Sequence, residues 1–402
     1  MRLAILAHNL RVGGGLVVGR NIVATLPQIA PEHEYLMVVP AGYDFVPDAS
    51  PGNVRWAEVR FGSLLERYRV EKRVLPELLR GFAPDWTWAL GNVPLRNPGC
   101  RQALLVHDPH LFYPRRHYAL ETARNRATKQ LLRRHLGQTL RDVDVVFCQT
   151  ESARRRFAAQ FAFPGRMAVC PVAVSRFAAA PAEPVVPAAL RGREGEFKFL
   201  ILTRYYAHKN LERVVEAFDR FRDALRGVTC VLTIAADQHP RAAELLRTIR
   251  ARGLEERIVN LGPLRQDELA VAYFACDALL HPTLLESFSS AYLEAMHFGL
   301  PIATSDLDFA REVCGDAAAY FDPWHAAAIK DALLALRDQP ALRAELVRLG
   351  RARLASAVRS WPEILTQALG VLADADLPHR STDEGEGAQP CPSASIRAGV
   401  VS

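Results

Sequence analysis

Short apolar runs recur along this chain with longer amphipathic segments between them, and the recurrence stops once and then restarts. In the first half the runs are RLAILAH, EYLMVVP, DWTWAL, QALLVHD, VDVVFCQT and MAVCPVAV; in the second they are FKFLILTRY, TCVLTIAA, RIVNLGP, DALLHPT, PIATS and AAAYFDP. Runs this apolar, separated by helix-length segments, predict parallel strands covered by helices on both faces. Between them lies AAAPAEPVVPAALRGREGEF, with three prolines, two glycines and no periodicity, the composition of a linker. A chain of 402 residues, half of them apolar, is more than one core usually organises. The expected architecture is therefore α/β, with two doubly wound, Rossmann-like domains. The first spans residues 1–180 and the second 198–358, with a linker at 181–197. Residues 359–373 form a helix able to cross back to the first domain, and residues 374–402, rich in Ser, Pro, Gly and charge, form a tail expected to be disordered. Two such sheets leave a cleft at the carboxyl ends of their strands, where ligands bind.

Composition narrows the setting. Seven cysteines are scattered without a C-x-x-C spacing, which predicts reduced thiols and a cytoplasmic protein. MRLAILAHNL is too short an apolar run for a signal peptide. No run of about 18 apolar residues is present, so membrane contact is expected only at the surface, on the inner face of the plasma membrane. Residues 1–190 hold 25 Lys and Arg against 15 Asp and Glu, and residues 191–402 hold 25 against 29. The basic surplus belongs to the first half.

The loops after the strands carry the candidate chemistry. In HPTLLESFSSAYLEAMHFGLP, Glu286 precedes a nearly all-apolar helix that Ser289 or Ser290 caps and Gly299 ends. Glu294 lies one turn in, on a polar stripe with Ser290 and His297. On spacing alone the two glutamates are either solvated or fingers of a site. In LTRYYAHKNLE, Arg204 and Lys209 stand five apart across a strand–helix turn, either as ordinary exposed cations or as a clamp for a diphosphate. Three glycines, Gly13 to Gly15, follow the first strand and precede a helix. They are either a tight turn or a loop whose amides approach an anion or sugar; the dinucleotide fingerprint is not met, because its third glycine falls on Val18. His107 and Asp108 end the strand of LLVHDPHLFYP, with His110 as a weaker alternative to His107.

Glu286, Phe288, Ser289, Glu294, Ala295, Met296, Gly299 and Pro301 together resemble the signature of retaining, family-4-type glycosyltransferases of GT-B fold. The resemblance covers roughly residues 1–372. It implies that Glu286 contacts the donor sugar, that the Ser289 and Ser290 amides face its diphosphate, and that Glu294 holds the ribose. Arg204 and Lys209 match the family's diphosphate-binding Arg-x4-Lys, although Thr203 stands where the family often has Gly. The resemblance also places Gly14 and Gly15 against donor phosphates or acceptor, and makes His107 the active-site histidine. It implies a UDP- or GDP-sugar as donor, a saccharide or lipid-linked saccharide as acceptor, and no cofactor. The triplets Asp142-Val-Asp144, Asp306-Leu-Asp308 and Asp374-Ala-Asp376 could hold a divalent ion. With Arg204, Lys209 and a helix N-terminus available for the diphosphate, no metal is expected.

Residues 115–141 hold eight Lys and Arg against the single acid Glu121. They predict a basic helix suited to an anionic membrane surface, and no nucleic-acid motif accompanies the charge. An excess of 45 Arg over 5 Lys fits a GC-rich bacterial genome, which places the expected transferase in surface polysaccharide synthesis. A nucleotide-sugar isomerase or epimerase of similar shape, or a non-catalytic relative, are the alternatives.

Overall fold

The computed structural model describes residues 1–173, 186–265 and 268–374. Residues 181–185 of the expected linker and the expected tail beyond Asp374 lie outside the described residues, as do Cys391 and Asp376.

The first domain is a seven-stranded, all-parallel sheet of β1 (Arg2–Leu6), β2 (Glu34–Pro40), β3 (Val54–Val59), β4 (Trp86–Ala89), β5 (Arg101–Val106), β6 (Val145–Cys148) and β7 (Arg166–Val169), in the order β3-β2-β1-β4-β5-β6-β7. The second is a six-stranded parallel sheet of β8 (Phe197–Ile201), β9 (Val228–Leu232), β10 (Ile258–Asn260), β11 (Ala278–His281), β12 (Ile302–Ser305) and β13 (Ala318–Phe321), in the order β10-β9-β8-β11-β12-β13. Central strands such as β1 and β11 are buried on both faces, which is why they read as unbroken apolar runs.

One strand departs from expectation. The six apolar runs of the first half omit β3, whose sequence VRWAEV exposes Arg55 on one face and Glu58 on the other. It is the sheet's edge, paired only with β2, and charged side chains are how edge strands resist further pairing.

A second departure concerns the three glycines. They are not a loop ahead of a helix but the first turn of the helix Gly13–Ile29 itself, entered through Gly13 at φ +64°, a left-handed value that a side chain would strain.

The helix Trp361–Ala373 opens with a reciprocal cap between Ser360 and Glu363 and has Pro362 in its first turn. Its apolar stripe, including Trp361, Leu365, Ala368 and Leu372, is buried in the first domain's core, against the helix Gly13–Ile29.

The domains meet through directed polar contacts. Asp308 accepts from Tyr113 Oη at 2.9 Å and from Arg156 Nε at 2.6 Å. Glu312 accepts from the amides of Glu151 and Ser152, the first residues of the helix Glu151–Gln160, where free N–H groups favour a carboxylate. His117 Nδ1 lies 2.8 Å from the Leu284 carbonyl oxygen. These contacts bring the carboxyl ends of the two sheets face to face.

Candidate active site

Strands β1, β4 and β5 are neighbours, so the segments that follow them converge. After β4 the chain turns through Asn92 at φ +65°. Asn92 Oδ1 accepts from the amides of His107 and Asp108 at 2.6 and 2.7 Å, and its Nδ2 lies 3.0 Å from His107 Nε2. Because two amides occupy Oδ1, the facing group is the amide NH2, which can only donate. His107 Nε2 therefore accepts, and its proton resides on Nδ1. That buried nitrogen has no hydrogen-bond partner among the described residues. The imidazole is held neutral: burial pushes its pKa down to about 4, with Asp108 opposing and Lys129 assisting the shift.

Gly15 packs directly on this ring. A Cβ built there would stand 2.8 Å from His107 Nε2, whereas one at Gly14 would meet nothing within 4 Å. Gly15 and His107 are thus one locus, with Gly14 beside it on the open side.

On the second domain, β8 and β11 are adjacent, and their following loops are stitched together. Leu284 N donates to the His208 carbonyl at 2.8 Å, and Asn210 Nδ2 donates to the carbonyls of Pro282 and Pro323 at 3.2 and 2.8 Å. This stitching brings Lys209 Nζ onto Glu286 Oε1, with His281 Nε2 3.4 Å from the same oxygen. Only 14% of the Lys209 side chain and 11% of the Glu286 side chain are exposed. Burial by itself would raise the Glu286 pKa, but Lys209 and His281 outweigh it and hold the carboxyl well below the ordinary range. Arg204 is exposed.

Ser289 occupies the cap position of the helix Ser290–His297, but neither serine caps it as expected: no side-chain cap bond is formed, and Ser290 is already helical. Glu294 is not solvated. It is 5% exposed and accepts from Tyr273 Oη at 2.8 Å. Burial raises its pKa, and the hydrogen bonds of Tyr273 and Ser290 offset only part of that rise.

The two halves touch at Ser287, a residue the sequence reading passed over within ESFSS. Its Oγ lies 2.8 Å from the His107 carbonyl oxygen and 2.7 Å from Gln149 Oε1, and its carbonyl accepts from Thr150 Oγ1 at 3.2 Å. Tyr206 Oη closes over Gly13. Asn92, Ser287 and Tyr206 carry no spacing signal; only their positions after strands could have drawn attention to them.

Of the D-x-D carboxylates, three are engaged elsewhere, whereas Asp142 Oδ2 is buried without a hydrogen-bond partner among the described residues. Asp306 pairs with Arg311 at 2.7 Å, Asp308 joins the domains, and Asp144 accepts from the Gln102 amide at 2.8 Å. The basic segment is not one helix: Arg115–Tyr118 and Leu140–Asp142 are 3-10 turns flanking the helix Ala123–Thr139. Lys129 turns inward to Asp108 at 2.6 Å, while Arg124, Arg126 and Arg134 are exposed. No helix among the described residues is long and apolar enough to cross a membrane.

Two parallel-sheet domains apposed at their strand ends define the GT-B class. The architecture is that of sucrose-phosphate synthase from Thermosynechococcus elongatus, with a TM-score of 0.72 at 14% identity over 92% of this chain and 98% of that one. It is also that of HepE from Anabaena, solved in complex with UDP-glucose, with a TM-score of 0.71 at 16% identity over 92% and 99%. Residues 186–353, which make up most of the second domain, match the model for glycosyl transferases group 1. A curated relative, D-inositol 3-phosphate glycosyltransferase of Pseudarthrobacter chlorophenolicus, is 30% identical over 162 residues, which are 40% of this chain and 39% of that protein.

Proposed function

We propose that the protein transfers a sugar from a UDP- or GDP-sugar to a saccharide or lipid-linked saccharide acceptor, with retention of configuration, in bacterial surface polysaccharide synthesis. The observation that carries this reading is the buried Lys209–Glu286 pair, tied to the Gly15–His107–Asn92 locus of the other domain through Ser287, the residue after Glu286, whose Oγ lies 2.8 Å from the His107 carbonyl oxygen. A carboxylate kept ionised while buried accepts hydroxyl groups of a sugar, and a partly buried ammonium beside it answers charge on a diphosphate.

In this reading the bond from the anomeric carbon to the diphosphate oxygen breaks while a bond to the acceptor oxygen forms on the same face. The acceptor proton passes to the departing diphosphate. Negative charge grows on that leaving group, where Lys209, Arg204 and the amides of Ser289 and Ser290 stand as preorganised donors, so no metal is required for the transfer. Glu286 orients the sugar, Glu294 accepts from the ribose, and His107 is the hydrogen-bonding residue near the reacting sugar. The exposed arginines of the helix Ala123–Thr139 suit an anionic membrane beside the acceptor side.

The test is transfer from a panel of UDP- and GDP-sugars by the purified protein, with the anomer of the product read by NMR. Lys209→Ala and Glu294→Ala should each cut transfer strongly. Unchanged rates in both variants would overturn the site assignment. Conversion of donor without acceptor would favour an isomerase, and binding without turnover on any acceptor extract would favour a non-catalytic relative.

A further inference from the structure

Behind Lys209, three side chains from both domains converge in a way the transfer reaction does not use. His110 lies in the 3-10 turn Pro109–Leu111, Glu121 precedes the helix Ala123–Thr139, and His208 comes from the turn Ala207–Lys209 of the second domain. Glu121 Oε1 is 4.0 Å from His110 Nε2 and 3.8 Å from His208 Nδ1, and one ligand atom from each residue falls within 4.8 Å of the other two. The histidines are 7% and 8% exposed. Both facing ring nitrogens are buried without a hydrogen-bond partner among the described residues.

With His110 neutral, this arrangement leaves its outer ring nitrogen unsatisfied. His110 Nδ1 is 2.7 Å from Asp108 Oδ1, and a neutral ring donates through that nitrogen, which leaves the Nε2 lone pair pointing at a carboxylate. Two acceptors facing each other in a low-dielectric interior repel unless a cation stands between them. Glu121 Oε2 is already occupied by Asn125 Nδ2 at 3.1 Å, so Oε1 is the oxygen left to offer. The Asp108 carboxylate orients the His110 ring and is itself held by Lys129 at 2.6 Å, the arrangement in which a second carboxylate fixes a metal-binding histidine.

We infer that His110 Nε2, Glu121 Oε1 and His208 Nδ1 form a site for one divalent transition-metal ion of the zinc class, which clasps the two domains in the closed arrangement. Two imidazoles and one carboxylate are a ligand set typical of zinc. A tetrahedral ion with bonds of about 2.0–2.1 Å holds its ligand atoms roughly 3.4 Å apart, so the two Glu121 contacts have to close by about 0.4–0.6 Å and the two histidine nitrogens by up to about 1.4 Å. The ion would not touch the donor diphosphate; its role is to tie the Lys209 loop to the first domain. The nearby cations are already partnered, Lys209 with Glu286 and Arg241 with the Leu120 carbonyl.

The test uses the full chain, stripped with a chelator and dialysed, then titrated with Zn²⁺ alone and with Co²⁺ as a coloured probe. The expected result is one histidine-dependent ion per chain, a visible Co²⁺ spectrum of tetrahedral type and a raised melting temperature. H208Q and E121Q should each weaken binding at least tenfold, while H325Q, at an exposed histidine, should leave it unchanged. H208C supplies a thiolate ligand and should restore binding with a new sulfur-to-cobalt charge-transfer band, which keeps the test decisive if H208Q folds poorly. Absence of Zn²⁺ binding to the wild-type chain, or binding equally tight in H208Q, overturns the inference.

Discussion

The contact between Gly15 and His107 can be tested by adding one carbon. In Gly15→Ala the new Cβ would begin 2.8 Å from His107 Nε2, against an ordinary contact of 3.4 Å, so about 0.6 Å of overlap must be relieved. The imidazole has little freedom to yield, because Asn92 holds its ring and its backbone amide at 3.0 and 2.6 Å. Overpacking of this kind costs about 1–3 kcal/mol, and a shift of the ring by a large fraction of an ångström costs on the order of a hundredfold in turnover. Gly14→Ala is the control, since its Cβ meets nothing. Both variants gain the helix propensity of alanine, up to about 1 kcal/mol, so the difference between them isolates the clash. The assay is sugar transfer together with thermal melting, where each kcal/mol moves the midpoint by about 2–4 °C in a domain of this size. Gly15→Ala should lose transfer and melt below Gly14→Ala. Equal melting temperatures and equal rates would refute the reasoning.

Further outcomes follow from other contacts. Lys209→Met strands a buried carboxylate and should destabilise the protein by roughly 3–5 kcal/mol, with much of the loss recovered in Lys209→Met/Glu286→Gln; denaturant melts read both. Glu294 has its pKa raised by burial and must be ionised to accept two ribose hydroxyls. Donor affinity should therefore be full above that raised pKa and fall as pH drops through it, a dependence that calorimetry should find absent in Glu294→Gln. Glu312→Ala frees the amides of Glu151 and Ser152 and should speed hydrogen exchange at the start of that helix by roughly tenfold or more. Arg124→Glu/Arg126→Glu/Arg134→Glu should weaken adsorption to anionic vesicles on the order of a hundredfold at low salt, with no change on neutral vesicles.

What could be read from the sequence follows from where the physical constraint lies. A strand buried on both faces must be apolar throughout, so β1, β5 and β11 declare themselves; β3 does not, because this edge strand exposes a charge on each face, Arg55 on one and Glu58 on the other. The helix Ser290–His297 was legible from its apolar run and Gly299. Spacing alone leaves its glutamate at 294 either solvated or part of a site; it is buried and accepts from Tyr273, 21 residues earlier. Lys209 and Glu286 were each visible, but their contact depends on β8 and β11 being neighbours, which no local pattern specifies. The partnership of Ser287 with the His107 carbonyl depends on the placement of one whole domain against the other. That placement is written only in scattered single contacts.

The return of the helix Trp361–Ala373 to the first domain has a mechanical consequence. The chain lies in the first domain at Ala173, in the second from β8 onward and again in the first from Trp361, so two covalent crossings rather than one join the halves. A body held at two points swings about the line that joins them and resists torsion across it. Opening of the cleft should therefore be a single swing of fixed axis. Removing the last helix would strip an apolar face from the first domain and at the same time leave its partner free to wander in direction.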